Sequence, residues 1–288
     1  MQNILYLGPV GTNSHMAAEE FIKTEKIDDA KLIPCGTIKS IIQEIDQNSD
    51  LTAIVPIENS IEGVVRETLD NVIRTKDKSV VISKEMVFPI HHCLISKAKD
   101  ISAIKTIISH PQAIAQCRGF ILKTFGDGIK VMNAPSTSDA VVSLIEKDGT
   151  FAAIGNAKAA EFYGIPVLKS NINDEDDNKT RFVYLSRNLV QPTGRDKTSI
   201  VFSTDNKPGA LVRILDVFRK ENVNLSYIDS RPSKRDLKEY GPYIFFVDCD
   251  IHCSDEKFRQ VLCEIKPFIT FYRCLLYTSD AADDLTRV

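Results

Sequence analysis

The sequence repeats one unit, in which a short apolar strand is followed by a few polar residues and then by an amphipathic helix. The clearest copy runs from Leu51 to Ile57, ends in Glu58-Asn59-Ser60 and continues into a helical pattern. Continuous apolar strands are typical of parallel sheets that are covered on both faces, and the helices provide the crossovers. The repeat therefore predicts a doubly wound α/β fold for the first part of the chain.

One stretch departs from the repeat and predicts two lobes. The apolar pattern from Val80 to Ser96 is too long for a single strand-helix unit, so we expect it to cross between lobes, with the return between 165 and 180. The predicted domain covers residues 1–187 and has hinges near 80–96 and 165–180. Two hinged lobes are the plan of periplasmic binding proteins, in which the ligand lies in the cleft.

A second, smaller domain is predicted after a linker at 190–197 that contains Pro192 and Gly194. The pattern becomes βαββαβ, with strands at 198–203, 224–231, 243–251 and 269–274 and helices at 209–221 and 255–263. This order predicts a ferredoxin-like α+β module over 198–275. Residues 276–288 are polar and acidic and are predicted to be a disordered or non-native tail.

Composition excludes several classes of function. The formal net charge of the 288 residues is -3, which gives no basic surface for nucleic acid. No apolar run reaches the roughly 20 residues of a membrane helix, and no basic leader opens the chain, so we expect a cytoplasmic protein. The seven cysteines are odd in number and are expected to be reduced thiols. His252 stands between Cys249 and Cys253, but without a CxxC pair we predict no metal site.

Polar residues at strand ends are the candidates for a binding site, because open α/β sheets bind ligands at the carboxyl ends of their strands. Each candidate also has a structural explanation. Thr12, in the turn Gly8-Pro9-Val10-Gly11-Thr12, can face an anion or cap a plain turn, and Glu58, Asn59 and Ser60 can face a ligand or cap a helix. Of His91 and His92, alternation buries one, most simply as a structural histidine. The hexapeptide at 177–182 can be a solvated strand entry. The same question applies to these further candidates: Ser109, Gln112 and Gln116.

Four motifs, taken together and in this order, resemble those of the prephenate dehydratase family. Their order and spacing match across about residues 1–187, and the part from Pro208 onward resembles the ACT regulatory domain that follows in this family. The motifs are Gly8-Pro9-Val10-Gly11-Thr12, Pro56-Ile57-Glu58-Asn59-Ser60, Ser109-His110-Pro111-Gln112 with Gln116, Asn178-Lys179-Thr180-Arg181-Phe182 and, in the ACT part, Pro208-Gly209-Ala210-Leu211 with Asp229-Ser230-Arg231-Pro232.

The resemblance implies an enzyme, a lyase of phenylalanine biosynthesis that converts prephenate to phenylpyruvate with loss of CO2 and water. It implies no metal and no organic cofactor, and it implies the monofunctional form of the enzyme. By resemblance the catalytic residues are Thr180, Glu58, Asn59, Ser109 and Gln116. The substrate-binding residues are Thr12, Ser60, Arg181 and Phe182.

The resemblance also implies feedback control by L-phenylalanine, bound between the ACT domains of a homodimer or homotetramer. The family usually has a glutamate at the position of Asp229, so the shorter side chain bears on effector affinity. The implied effector residues are Gly209, Ala210, Leu211, Val212, Asn224, Asp229, Ser230, Arg231 and Pro232.

Two questions stay open at this point. Thr180 is the implied donor of a hydrogen bond to the leaving hydroxyl, whereas Glu58 either relays a proton or orders Asn59. Two other functions fit the same sequence. Arogenate dehydratase differs only in recognising an amino group, and a two-lobed solute-binding protein with an amino-acid sensor would use the same cleft for capture.

Overall fold

The computed structural model describes residues 2–188, 191–232 and 243–279, with side chains described as far as Leu275. The strands are β1 (Gln2–Leu7), β2 (Ala30–Cys35), β3 (Leu51–Asn59), β4 (Gly63–Val64), β5 (Val81–Pro89), β6 (Cys93–Ser96), β7 (Thr106–Ser109), β8 (Lys130–Asn133), β9 (Phe151–Gly155), β10 (Val167–Lys169), β11 (Lys179–Ser186), β12 (Asp196–Thr204), β13 (Leu225–Pro232), β14 (Tyr243–Cys249) and β15 (Ile269–Ser279). The helices are α1 (Asn13–Thr24), α2 (Ile38–Gln47), α3 (Arg66–Arg74), α4 (Pro111–Gln116), α5 (Arg118–Phe125), α6 (Thr137–Ser143), α7 (Ala157–Tyr163), α8 (Ala210–Lys220) and α9 (Glu256–Ile265).

These elements form two compact units. The first contains Met1–Ile41, Asp50–Arg66 and Met86–Phe182, and the second contains Ile42–Ser49, Glu67–Glu85 and Val183–Val288. The predicted domain ranges 1–187, 198–275 and 276–288 stay predictions.

The first sheet of the first unit has the parallel strands that the apolar repeat predicts. The strand β1 pairs in parallel with both β2 and β3, and the sheet order from β11 is β11-β3-β1-β2, with β4 beside β3. The central strands are buried because helices cover them. Ala17, Ala18 and Phe21 form the buried face of α1, as the spacing predicts.

The second sheet of this unit has the order β10-β6-β9-β7-β8. Its central strands β6, β9 and β7 are buried on both faces, since alternate residues of these strands belong to different core clusters. Ile95 and Ile108 belong to one cluster, whereas their neighbours Leu94 and Ile107 belong to the other. This alternation explains why the strands read as continuous apolar runs in the sequence. The two sheets are the predicted two lobes, and the fold class is confirmed.

The chain passes between these two sheets twice. The first passage lies between β5 and β6, where Ile90, His91 and His92 interrupt the apolar pattern. The second lies between β10 and β11, at residues 170–178. Of the two adjacent histidines, His92 is buried and His91 is exposed, as alternation predicts.

In the second unit, β12 to β15 form the ferredoxin-like sheet. Its antiparallel order is β13-β14-β12-β15, and α8 and α9 pack against each other. Phe202, Phe218 and Phe258 are among the buried residues of its core, together with Ile214 and Val261 from the predicted apolar faces of the two helices. The predicted βαββαβ order is therefore confirmed.

Several local predictions need correction. The helical pattern predicts Val65, Leu69 and Ile73 on the inner face of α3, but the helix begins at Arg66 and its buried residues are Thr68, Leu69 and Val72. Phe162 is 58% exposed although the pattern had placed it on the inner face of α7, where Ala159 and Ala160 pack instead. The strand β15 continues to Ser279, five residues past its predicted end, because it pairs with β12 as far as Asp196. Of the predicted tail, residues 280–288 lie outside the described residues.

In the described part of the chain, no helix is both long enough and apolar enough to cross a membrane. All seven cysteines lie in this part of the chain and are free thiols.

Candidate active site

A cavity of about 290 Å³ opens in the first unit, where the ends of several strands and the starts of several helices meet. Four predicted site residues line it: Thr12, Asn59, Gln116 and Thr180. The full lining is Thr12, Asn13, Ser14, Pro56, Asn59, Val65, Ile90, His92, His110, Gln112, Ala113, Gln116, Pro135, Ser136, Thr137, Asn178 and Thr180.

Asn59 is the centre of the polar contacts on one wall of this cavity. Its Oδ1 accepts the backbone N–H groups of Ile61 and Glu62, both at 3.1 Å, which fixes the orientation of the amide. Its Nδ2 therefore faces β11, where it donates to Asn178 Oδ1 at 2.9 Å and to Thr180 Oγ1 at 3.0 Å. Because Thr180 Oγ1 accepts from Asn59, the proton of its own hydroxyl must go elsewhere. No described group accepts that proton.

Ser60 connects the end of β3 to the start of β11 by hydrogen bonds. Its backbone N–H donates to Lys179 O at 2.8 Å, and its Oγ accepts the N–H of Lys179 at 2.9 Å and donates to Asp177 O at 3.0 Å. These contacts set the register of Thr180 against Asn59. Ser60 does not line the cavity, so its geometry fits a supporting position behind the wall.

A second amide group continues the network toward the first passage between the sheets. Gln116 Oε1 lies 2.9 Å from Asn178 Nδ2, which donates to it, and 2.9 Å from His92 Nε2. The contacts thus run from His92 through Gln116, Asn178 and Asn59 to Thr180. Asn178 and Thr180 are almost fully buried, so these hydrogen bonds are sheltered from water.

The imidazole of His92 is held neutral by its surroundings. Burial lowers its pKa below the ordinary value of 6.5, the contact with Gln116 opposes this effect, and the nearby His91 adds to it. The backbone is fixed as well, because His92 N donates to Asn173 Oδ1 at 2.6 Å and His92 O accepts the N–H of Ile172 at 3.0 Å.

A second wall is built from helix starts. Thr12 caps α1, where its Oγ1 accepts the N–H of His15 at 3.2 Å and donates to Leu7 O at 2.9 Å. His110 caps α4 through Nδ1, and Ser136 caps α6 through its hydroxyl. The N-terminus of a helix carries a partial positive charge and unpaired N–H groups, so such a wall favours anions.

The turn before α1 is fixed against the second lobe. Asn156 Nδ2 donates to Gly11 O at 2.8 Å and to Asn13 Oδ1 at 3.1 Å. Gly11 has a φ of +84°, and a Cβ there would meet Ala159 at 3.2 Å, so a side chain would be strained and crowded. A glycine is thus required where the two lobes approach each other.

Five predicted residues do not reach the cavity wall, and the geometry gives the physical reason for each. Glu58 and Arg181 alternate with Asn59 and Thr180 along their strands, so they lie on the other face, where they form an ion pair of 2.9 Å. Ser109 is fully buried and donates to Ile154 O at 2.6 Å. The two remaining residues are Ser60, described above, and Phe182, which is buried edge-on against Phe88. The roles predicted for these five stay predictions, without a cavity contact here.

Other cavity residues were not among the predicted site residues. Asn178 could have been found, since it stands two positions before Thr180 and must share its side of the strand. Ser136 was interpreted only as a helix cap, which it is, and the same geometry brings it to the cavity. His92 carried no signal that separates a structural from a functional histidine. Neither did His110.

The predicted effector residues fall in two segments of the second unit. Gly209, with a φ of +80°, precedes α8 and provides no side-chain cap, and no acceptor for the N–H of Leu211 or Val212 appears among the described residues. On β13, Arg231 is engaged elsewhere. Its Nη1 lies 2.9 Å from Asp70 Oδ1, and its guanidinium stacks 4.0 Å from the centre of the Phe246 ring.

Among the residues that the structure describes, no cluster of three or more His, Cys, Asp or Glu side chains could hold a metal ion.

Comparison with known proteins identifies related families. A family model described as prephenate dehydratase matches residues 4–189, and one described as ACT domain matches residues 198–264. The prephenate dehydratase of Methanocaldococcus jannaschii is 40% identical over 278 residues, covering 94% of this chain and 96% of the relative. Arogenate dehydratase 2 of Petunia hybrida is 32% identical, covering 96% of this chain and 72% of the relative.

A solved structure is similar over nearly the whole chain. The prephenate dehydratase of Arthrobacter aurescens, in complex with L-Phe, has a TM-score of 0.85 and 33% sequence identity, covering 97% of this chain and 90% of that chain.

Proposed function

This chain belongs to the prephenate dehydratase family, and from that premise we propose that it converts prephenate to phenylpyruvate in the cavity beside Thr180. The enzyme is a carbon–oxygen lyase of aromatic amino acid biosynthesis. One observation carries the assignment of the reacting site. Thr180 Oγ1 accepts a hydrogen bond from Asn59, while its own proton has no acceptor among the described residues. This proton is available to a substrate.

The reaction consists of one concerted loss of two groups from a ring that becomes aromatic. The bond between the ring carbon and its carboxylate breaks, CO2 leaves, and the electron pair moves into the ring. The ring expels its hydroxyl from the opposite carbon as hydroxide, which takes up a proton and leaves as water. Thr180 donates its hydrogen bond to this departing oxygen, where negative charge develops.

Thr180 helps the leaving group without being ionised. A threonine hydroxyl is a very weak acid, so Thr180 keeps its proton and stabilises the departing hydroxide by a hydrogen bond, while the proton that converts the hydroxide to water comes from solvent. Assistance of this kind contributes typically 10² to 10⁴ in rate. The remaining acceleration comes from holding the scissile carboxylate in a sheltered cavity and from the aromaticity gained by the ring.

The substrate's carboxylates are anchored by the wall of helix starts. No lysine or arginine is among the described residues that line the cavity, so no cationic side chain neutralises them there. The N-terminus of α1 at Asn13 and Ser14 offers N–H groups in place of such a charge. Arg181, predicted as an anchor, pairs with Glu58 and does not line the cavity, so its anchoring role stays a prediction.

The charge of the cavity wall also favours prephenate over arogenate. Arogenate carries an ammonium group where prephenate carries a ketone, and a bound ammonium requires a carboxylate or several oxygen acceptors nearby. Neither aspartate nor glutamate is among the described residues that line the cavity. A neutral carbonyl group fits this wall with less loss of solvation.

Turnover measured side by side on the two substrates tests this function. We expect phenylpyruvate to form from prephenate at a kcat/KM at least about tenfold above that for formation of phenylalanine from arogenate, which corresponds to about 1.4 kcal/mol. Faster turnover of arogenate would reverse the substrate assignment. Binding of prephenate without any product would favour a solute-binding protein instead.

For regulation, the effector is L-phenylalanine, bound by the second unit. Two features support Gly209, Ala210, Leu211 and Val212 as the site of its carboxylate. The cap position of α8 is a glycine, and the N–H groups of Leu211 and Val212 have no described acceptor. The second segment comprises Asn224, Asp229, Ser230, Arg231 and Pro232.

Calorimetry on the full chain tests effector binding. Titration with L-phenylalanine is expected to show saturable heat, and Asp229→Glu, which restores the longer side chain usual in the family, is expected to change the affinity. Inhibition by the effector reflects a coupling of about 1 to 3 kcal/mol. Absence of any heat in the wild-type titration would contradict the assignment.

Two copies of the chain complete this effector site. The strand β13 is an edge of its sheet in the described part of the second unit. Two apolar side chains are exposed there: Ile228 on β13 is 48% exposed, and Val212 on α8 is 66% exposed. An exposed apolar edge is a surface on which a second copy can pair. Light scattering is expected to show a dimer or tetramer, and Ile228→Lys is expected to lower the assembly state.

The enzyme works in the cytoplasm. Its free cysteines, several of them buried, fit a reducing compartment, since an oxidising one favours disulfides. Fractionation of cells that produce the protein would test this location.

A further inference from the structure

His92 has a fixed place but no role in the reaction described so far. It lies on the first passage between the two sheets, only 3% of its surface is exposed, and it lines the cavity. Its backbone is held on both sides by residues of the second passage, Ile172 and Asn173. The imidazole is therefore held rigidly at the far end of the network that reaches Thr180.

The direction of every hydrogen bond in this network follows from one amide. Asn59 Oδ1 accepts two backbone N–H groups, so Asn59 Nδ2 must face Asn178 Oδ1. Asn178 Nδ2 then has to donate to Gln116 Oε1. An oxygen cannot donate, so the 2.9 Å contact between Gln116 Oε1 and His92 Nε2 requires a proton on Nε2.

We propose that His92 is a positioning residue of the dehydratase reaction: as the Nε2–H tautomer it holds Gln116 with Oε1 toward Asn178, and it thereby reinforces the orientation of Asn178 and Asn59 that leaves the Thr180 proton for the leaving hydroxyl. The proposal rests on the function proposed above, because it assigns a purpose to the direction of the Thr180 hydroxyl. His92 itself touches neither the reacting carbon nor the departing oxygen in this scheme.

The energetic argument concerns the two ways in which the Gln116 side-chain amide can turn. In the described orientation its Oε1 accepts from His92 and from Asn178. Turned by 180°, its Nε2 would face the Nδ2 of Asn178, and two donors would oppose each other in a buried place. An unsatisfied buried donor costs about 1 to 3 kcal/mol, and the donor from His92 adds to the preference for the described orientation.

The neutrality of His92 is consistent with this role. Burial lowers its pKa, so at pH 7 the ring carries one proton, and the network places that proton on Nε2. Nδ1 is left as an acceptor without a partner among the described residues. A cation at this position would place a charge beside the cavity and change the field at the leaving group.

Two substitutions separate the hydrogen-bond donor from the volume of the ring. In His92→Gln, the side-chain amide can place Nε2 near the position of the imidazole Nε2 and keep a donor for Gln116. His92→Leu fills a similar volume without any donor. Circular dichroism and thermal unfolding of both variants establish that the fold is retained.

Steady-state kinetics on prephenate give the first result. We expect His92→Leu to lower kcat about tenfold or more while KM changes less than about threefold, and His92→Gln to keep kcat within about threefold of the wild type. A merely structural histidine would lower stability in both variants without this split between kcat and KM. Equal loss of kcat in the two variants would overturn the proposal.

Nuclear magnetic resonance on the active wild-type protein gives a result that does not depend on turnover. With ¹⁵N-labelled histidine, the signal of His92, assigned by its absence in His92→Gln, is expected to report protonation at Nε2 and not at Nδ1 between pH 7 and 8. A signal with the proton on Nδ1 would overturn the proposal even if prephenate is turned over. Failure of the wild type to turn over prephenate, with Nε2 protonated, would instead contradict the proposed function.

Discussion

The two walls of the cavity are built on different principles. On the wall formed by β3 and β11, Asn59, Asn178 and Thr180 contact one another through side chains, and each hydrogen bond fixes the direction of the next. On the second wall, Thr12 and Ser136 cap helices, and the groups that remain for a ligand are mainly backbone N–H groups. The first wall is specific in direction, whereas the second is suited to any anion of the right size.

This difference separates chemistry from binding. A change on the side-chain wall alters the group that assists the departing hydroxide, so it acts on the transition state and lowers kcat. A change on the helix wall weakens a contact that substrate and transition state share, so it raises KM. The separation gives a scale on which substitutions in the two walls can be ordered.

The largest effect is expected for Thr180→Ala. The variant loses the hydroxyl that assists the leaving group, so we expect kcat to fall by about 10² or more, with the fold and KM largely retained. Thr180→Ser keeps the hydroxyl and is expected to retain much of the activity. Steady-state kinetics measure both variants. Turnover at the wild-type rate by the alanine variant would remove the basis for assigning chemistry to this wall.

A smaller effect is expected for Asn178→Leu. This side chain has a similar volume but can neither accept from Asn59 nor donate to Gln116, so the orientation of both amides is lost. We expect kcat to fall by about tenfold, roughly the 1.4 kcal/mol of one hydrogen bond. Asn71→Leu on the exposed part of α3 is a matched control, since it removes an amide that does not line the cavity. If Asn178→Leu raises KM alone, the two walls do not differ in the way described.

On the helix wall, Ser136→Ala is expected to act on KM. The substitution removes the cap of α6 and loosens the helix start, so we expect KM to rise about two- to fivefold with kcat nearly unchanged. Ser143→Ala on the same helix is the control, because Ser143 Oγ donates only to Ala140 O and does not line the cavity. A loss of kcat with unchanged KM in Ser136→Ala would contradict the assignment of binding to this wall.

The smallest effect concerns stability as a function of pH. Burial lowers the pKa of both His15 and His92. His15 Nδ1 accepts the backbone N–H of Gly11. The unfolded chain therefore binds more protons than the native state just below pH 6.5. The contribution of the two neutral histidines to the free energy of unfolding is thus fully present above that pH and is lost as the pH falls below it. Denaturant unfolding at pH 7.5 and 5.5 measures this loss. His92→Gln is expected to reduce it, and an unchanged pH dependence would contradict the neutral state of His92.

Most of the fold followed from the periodicity of the sequence. The buried faces of α1 and α2 and the βαββαβ order depend on local spacing, which an amphipathic pattern records directly. The errors lie where packing partners decide. Phe162 satisfies the helical spacing but is exposed, since Ala159 and Ala160 form the buried face of α7, and Ile145 is exposed because α6 ends at Ser143 and a 3-10 turn follows.

The candidate site was predictable in part for the same reason. Thr12 and Asn59 are candidates because they follow strands, and the family resemblance implies Gln116 and Thr180, but the sequence does not record which side of each strand faces the cavity. Glu58 and Arg181 were consequently assigned to the cavity although they pair on the opposite face. His92 could not be assigned, because its partner Gln116 is distant in sequence.

The two passages between the sheets have one more consequence. Any rotation of one lobe against the other turns about 90–92 and 170–178, and residues near such a pivot move least. His92 is on the first passage, and Asn178 is at the end of the second. Domain closure can therefore carry the starts of α4 and α6, which pack on the second sheet, toward the substrate over a large arc while Asn178 and the neighbouring threonine stay nearly still, so that capture of the substrate does not disturb the alignment needed for its reaction.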